Sequence, residues 1–171
     1  MIETPRLIIR PWESNDIAYY QTMSRDVGYT CFSAPGSFLV KDDDEAFQKI
    51  EIRMKLFSEH RIGKFLVFER LTKEFVGTCG GDFFDFEGKK QVELGYRLIL
   101  RQWGKGFATE AAKALIGYLL HDVKLEVVNG FALYQNQQSL RILEKIGMKY
   151  QKDILWSGLP HRLYCIHKNC Q

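Results

Sequence analysis

Three absences narrow the field before any motif is read. No apolar run approaches the roughly 18 residues needed to cross a bilayer, so no membrane span is expected. No block of Lys or Arg stands out, and a formal net charge of +3 is too small to argue for nucleic acid. Neither the four cysteines (Cys31, Cys79, Cys165, Cys170) nor the four histidines (His60, His121, His161, His167) have metal-type spacing, so no metal site is expected. A chain of 171 residues needs no disulfide stapling. The cysteines therefore read as free thiols in a reducing compartment, with the cytoplasm as the default. Met1-Ile2-Glu3-Thr4 lacks the basic start and apolar stretch of a secretory signal. Internal repeats, linkers and low-complexity segments are missing too.

What remains is the balance of an ordinary globular protein, 46% hydrophobic and 26% charged. The length suits one domain over residues 1–171 with a sizeable core. Its centre of gravity is residues 92–120, which read as a buried strand, a glycine-containing turn and an amphipathic helix. Apolar residues dominate from Leu94 to Leu100, then Arg101, Gln102, Trp103, Gly104, Lys105 and Gly106 break the run. Helical spacing resumes with Ala108, Ala111, Ala112, Leu115, Ile116 and Leu119. A helix entered through such a turn offers unpaired N–H groups and the positive end of its dipole, which suits an anion such as a pyrophosphate. Gly-x-Gly before a helix is a weak signal by itself, because glycine also enters helices for steric reasons. Two other nucleotide motifs fit badly. A dinucleotide fingerprint needs glycine where Thr109 stands, and the NTPase loop needs Gly-Lys-Ser/Thr after four residues.

Three separated stretches carry a resemblance. Glu93-Leu94-Gly95-Tyr96-Arg97-Leu98 with Trp103-Gly104-Lys105-Gly106-Phe107-Ala108-Thr109-Glu110-Ala111 is similar to the acetyl-CoA-binding motif of the GNAT acyltransferase superfamily. Asn136-Gln137-Gln138-Ser139 with Leu143-Glu144-Lys145-Ile146-Gly147-Met148 follows at the expected distance, and Thr4-Pro5-Arg6-Leu7-Ile8-Ile9-Arg10-Pro11 resembles the opening of its ribosomal-protein N-terminal acetyltransferase branch. The superfamily pattern Gln/Arg-x-x-Gly-x-Gly/Ala fits in two registers, and the preferred one puts Trp103 in the first position. The resemblance implies an α+β fold: a mixed, mostly antiparallel sheet with splayed middle strands and about four helices. It implies that acetyl-CoA lies in the splay, its pantetheine on the backbone of Leu98, Ile99 and Leu100. The pyrophosphate would meet the amides of Gly104, Lys105, Gly106, Phe107, Ala108 and Thr109. Asn136 would contact the cofactor and Ser139 would point at the thioester sulfur. Relatives occur as monomers or homodimers.

The remaining segments are expected as follows. Residues 7–10 form a short strand closed by Pro11, and Ser14 or Asn15 caps a helix through Met23. Residues 28–40, with Phe32, Pro35, Gly36 and Phe38, read as an irregular loop or as a wall of a substrate groove. Lys41-Asp42-Asp43-Asp44-Glu45 starts a helix with Phe47, Ile50, Met54 and Phe57 on one face. Residues 63–70 and 75–81 form a hairpin, with Gly80-Gly81 marking a bulge or a close backbone approach. Glu87-Gly88-Lys89-Lys90 turns into the central strand. Residues 127–134 form a strand and 137–146 a helix ended by Gly147. A last hairpin joins 149–156 to 162–167 across Ser157-Gly158-Leu159-Pro160, with His161 in its turn, read as a solvated residue or as a substrate contact.

The chemistry can be weighed apart from the resemblance. Deprotonating a lysine-type amine of pKa near 10.4 at pH 7 costs roughly 4–5 kcal/mol, whereas an α-amino group costs only about 1–1.5. A modest base therefore suffices for an N-terminal acceptor. Glu93 is the candidate base, with a structural carboxylate as the competing reading. Ser139 is the candidate proton donor to sulfur, with a helix cap as its competitor, and Tyr96 and Tyr134 stand behind it as donors. No cysteine has a histidine partner in the sequence, which favours direct attack by a primary amine over an acyl-cysteine route. A CoA-binding module without catalysis stays open as the alternative, and so does a dinucleotide domain.

Overall fold

The computed structural model describes residues 1–33 and 36–170, of which Cys170 is described by its backbone alone. Pro35, expected in the irregular loop, lies outside the described residues. One eight-stranded sheet organises the chain in the order β1-β2-β3-β4-β5-β6-β8-β7. Its strands are β1 (Ile2–Glu3), β2 (Leu7–Arg10), β3 (Lys64–Glu69), β4 (Phe75–Phe86), β5 (Lys89–Leu98), β6 (Val127–Leu133), β7 (Lys149–Trp156) and β8 (Leu159–His167). All neighbours are antiparallel except β5 and β6. Helices α1 (Ile17–Arg25), α2 (Val27–Thr30), α3 (Asp43–His60), α4 (Phe107–Gly117) and α5 (Gln137–Lys145) cover the sheet.

Alternation along the strands builds two cores, one per face. Leu7, Ile9, Phe65 and Val67 meet α4 through Phe107, Ala111, Leu115 and Leu119. Leu66 and Phe68 point the other way, to Trp12, Tyr20, Met23, Tyr29 and Ile50 around the first three helices. Asp42 starts α3 by accepting from the Glu45 amide at 2.9 Å, and the Glu45 carboxylate accepts from the Lys41 amide at 2.9 Å. One orphan donor of the first turn and the amide just before the cap are thereby satisfied. The acidic run is a helix cap.

Several expected boundaries move, each for a physical reason. The strand expected to end at Gly81 continues to Phe86, and Glu87 (φ 52°) and Gly88 (φ 74°) alone make the turn into β5. Two left-handed residues match the twist of a tight hairpin. Ser157 (φ 50°) and Gly158 (φ 74°) do the same at the last hairpin, so β8 begins at Leu159 and holds His161 inside the sheet. Gly80 is a close approach, since a Cβ there would stand 1.9 Å from the Gly63 carbonyl oxygen. The bulge falls instead at Val76 of β4, the extra residue opposite the step from Val67 to Phe68 on β3. Helix α1 is preceded by Asp16, whose buried carboxylate takes a bidentate pair from Arg10 at 2.7 Å, rather than capped by Ser14 or Asn15. Part of the expected loop is helical: Gly28 in α2 abuts Leu100, leaving no room for a Cβ.

Candidate active site

β5 and β6 pair in parallel at a single position, Glu93 with Asn129. Beyond it β5 pairs only with β4, and β6 only with β8. The two central strands therefore part toward their C-terminal ends, and a cleft opens between them. The Ile99 amide donates to Val76 on β4 at 3.1 Å. By alternation the backbone groups of Tyr96 and Leu98 turn the other way, into the cleft.

Of the three residues expected to line a pantetheine arm, Leu98 alone offers a free-facing amide. The Ile99 amide is held by Val76, and the Leu100 amide donates to the Asp26 carboxylate at 2.9 Å. Trp103 bends back so that its indole N–H donates to the Leu98 carbonyl at 2.9 Å, pinning the turn to the end of β5. Gly104 (φ 73°) and Gly106 (φ 81°) flank Lys105 in left-handed conformations that cost an ordinary residue about 1–2 kcal/mol. All three are exposed. No side chain caps α4, whose first helical bond runs from the Glu110 amide to the Gly106 carbonyl at 3.2 Å. The amides of Phe107, Ala108 and Thr109 precede that bond and have no acceptor within the helix. The entrance to α4 thus fits an anion.

The sequence does not reveal what holds this turn in place. Glu110 accepts from Thr4 Oγ1 at 2.6 Å, from the Arg6 amide at 3.0 Å and from Arg6 Nε at 2.7 Å. Arg6 also donates to the Lys105 carbonyl at 2.9 Å, and its guanidinium lies 4.9 Å over the Phe107 ring. Burial pushes the Glu110 carboxyl up, but the bonds from Thr4 and Arg6 outweigh it and hold the group below its ordinary value. Thr4 and Arg6 lie 106 and 104 residues from Glu110 in sequence, so only the fold brings them to it.

The second wall of the cleft is α5. Asn136 caps it by accepting from the Ser139 amide at 3.1 Å, so the cap is Asn136 and not Ser139. Its Oδ1 faces the helix, which leaves the amide nitrogen for any other contact. Helix α5 sits close on β6 at Gly130, where a Cβ would meet Leu143 at 2.8 Å. That approach brings the Ser139 hydroxyl to 2.9 Å from Tyr96 Oη, which is 3.0 Å from the Ser139 carbonyl as well. Burial pushes the Tyr96 phenol well above its ordinary value, only partly offset by the bond with Ser139.

Glu93 points to the opposite face of β5 from Tyr96, because their spacing of three reverses the side chain. A Cβ on Gly95 would stand 2.6 Å from Lys64 Nζ and 3.0 Å from Glu93 Oε1, which puts both side chains on that face. Burial raises the Glu93 carboxyl above its ordinary range; Lys64 opposes that, Asp82 adds to it, and Arg97 and His161 oppose it more weakly. His161 is buried, with Nδ1 2.9 Å from the Leu159 carbonyl. Since that carbonyl only accepts, Nδ1 carries the proton. The expected solvated turn histidine is a sheet residue facing Glu93. Tyr134, the other reserve donor, stacks under Arg162 at 4.8 Å.

Two cysteine expectations are refined. Burial pushes the Cys79 thiol up to about 12, which removes it as a nucleophile near neutral pH. Cys165 does have a histidine neighbour, with Sγ 3.4 Å from His167 Nε2, because residues two apart on β8 share a face. Cys31 and Cys79 are free thiols.

Comparison with known proteins decides the family. A model of the acetyltransferase (GNAT) domain matches residues 6–149. This chain belongs to the GNAT acetyltransferase family. It is 29% identical over 150 residues to p20 of Bacillus licheniformis, an uncharacterized N-acetyltransferase, covering 88% of this chain and 82% of that protein. A 34% identical stretch of 96 residues is shared with the uncharacterized protein YkkB of Bacillus subtilis, so that match spans only 56% of the relative's length. The fold is that of RimL, a ribosomal alpha-N-protein acetyltransferase in complex with coenzyme A, with a TM-score of 0.81 at 13% identity over 96% of this chain and 95% of that one. GNAT acetyltransferases use acetyl-CoA and an acceptor substrate. Among the described residues no helix is long and apolar enough to cross a membrane.

Proposed function

We propose that this chain, acting as one domain over residues 1–171 in the cytoplasm, acetylates a primary amine from acetyl-CoA by direct attack in a ternary complex. The observation that carries this reading is the uncapped entrance to α4 at the end of the cleft between β5 and β6. The amides of 107–109 and the glycines around Lys105 would hold the diphosphate. Tyr96 and Leu98 backbone groups would take the pantetheine as an added strand.

The two faces of β5 divide the proton traffic. An amine entering on the Glu93 face gives its proton to that carboxylate, directly or through one water, as its nitrogen bonds to the acetyl carbon. The carbon–sulfur bond breaks toward the other face, where the Tyr96–Ser139 pair protonates the departing thiolate. A raised Glu93 carboxyl makes a better base near neutral pH than an ordinary carboxylate.

Free-thiol release tests the proposal directly, with acetyl-CoA and a panel of peptide N-termini, small monoamines, polyamines and aminoglycosides. Release dependent on one class is expected. Tight CoA binding with no release from any amine would leave a binding module without catalysis.

A further inference from the structure

Phe84 on β4, Phe131 on β6 and Trp156 on β7 form an aromatic cluster that stands outside both hydrophobic cores. Their ring centroids lie 5.2–5.8 Å apart pairwise, and the His161 ring meets Phe131 edge-on at 5.6 Å. Register places this cluster around Glu93. Phe84 is two residues from Asp82, which pairs with Glu93 on β4, and Phe131 is two residues beyond Asn129, which pairs with Glu93 on β6. A spacing of two preserves the face, so the rings flank the candidate base on the side away from α4. Phe131 and Trp156 are only partly buried. Partly open rings beside a carboxylate suit an ammonium attached to an apolar arm.

The charges nearby point to a single ammonium. Glu93 is faced by one further acid, Asp82, and by two cations: Lys64, whose Nζ donates to the Gly80 carbonyl at 3.1 Å, and Arg97, which donates to the Tyr29 carbonyl at 3.3 Å. Two acids against two fixed cations leave no spare negative charge for the further ammonium groups of a polyamine. Those groups would be desolvated without a partner, or would sit beside Lys64 and Arg97.

Resting on the acetyl-transfer reading, we propose that the acceptor is a monoamine carried next to one aromatic or large apolar group, which seats on Phe131 and Trp156, and that polyamines are discriminated against. Titration of the CoA-loaded full chain with phenethylamine and with spermidine measures recognition apart from turnover. Phenethylamine is expected to bind at least tenfold more tightly, and Trp156→Ala to weaken it about tenfold with CoA affinity unchanged. Phe131→Leu repeats the test should Trp156→Ala fail to fold. Equal or tighter binding of spermidine, or phenethylamine affinity untouched in a folded variant, overturns the proposal. Thiol release in the same samples separates the two readings: bound phenethylamine that is never acetylated sustains the recognition and refutes the transfer.

Discussion

Tyr96 Oη and Ser139 Oγ lie 2.9 Å apart across the opening between β5 and α5. The tyrosine has one proton and two acceptors within reach, the Ser139 hydroxyl and, at 3.0 Å, the Ser139 carbonyl. If the serine hydroxyl donates to the phenol oxygen, the phenol can turn its own proton from the carbonyl to the departing thiolate, and the serine's proton supports the phenolate left behind. Tyr96→Phe should then lower kcat about tenfold or more, and Ser139→Ala by a smaller factor, with little change in acetyl-CoA Kd. Single-turnover kinetics beside cofactor titration would check this. A lost affinity would instead make the pair a strut between strand and helix.

Glu93→Gln separates chemistry from stability by opposite signs. Removing a general base lowers kcat by about 10²-fold or more. Stability moves the other way. The folded-state value of Glu93 is raised, so its contribution is full below the ordinary carboxylate value and is lost as pH rises through the folded value. Glutamine never ionises and escapes that loss. The variant should therefore melt roughly 2 °C higher than wild type at pH 8, with the gap closing as pH falls. Thermal melts across pH 4–8 would show it, and a variant that melts lower throughout would refute the buried-carboxylate account.

How much of this was readable before the fold depends on the range of the interactions. The turn and helix from Trp103 onward announce themselves because glycine spacing and helical periodicity act over a few residues. The strand and helix order also follows local pattern. His161 was misread because a two-residue turn at Ser157-Gly158 leaves no local sign that β8 starts at Leu159, three residues before the expected Arg162. The Thr4–Arg6–Glu110 clamp is beyond reach for another reason: its partners are 104 to 106 residues apart and meet only through the sheet. The Cys165–His167 contact lay within reach, since spacing of two on a strand puts both side chains on one face.

The clamp itself predicts an acid limb. Glu110 is held below its ordinary value, so its stabilisation is present above the ordinary carboxylate value and is lost as pH falls through the folded value. Arg6 is half exposed, which weakens the pair toward the range of surface ion pairs, about 1 kcal/mol at most. Glu110→Gln should thus lower Tm by about 2–4 °C at pH 7. Near pH 3 it should match wild type. Calorimetry at the two pH values is sufficient.

Cys165 gives the cleanest test between direct attack and an acyl-cysteine. Its Sγ is 3.4 Å from His167 Nε2, a pairing that could activate a thiol, yet it stands two strands from Glu93 in register. Cys165→Ser should leave kcat within about twofold. Mass spectrometry of wild type quenched during turnover should find no acetyl group on the protein. A covalent acetyl adduct that disappears in the variant would replace direct attack with a two-step route.

Gly106→Ala probes the anion site without touching any reacting group. Gly106 adopts φ 81°, where a Cβ costs about 1–2 kcal/mol. The added methyl would also stand 3.4 Å from Arg6 Nη2, a flexible neighbour able to give way. The fold should survive with Tm down by about 2–8 °C, while the strain relaxes by turning the first amides of α4 away from their common focus. Acetyl-CoA Kd should therefore rise about tenfold, and the loss should shrink for a dephosphorylated fragment such as N-acetylcysteamine thioester, which lacks the diphosphate. Equal losses for both donors would mean that the α4 entrance grips something other than phosphate.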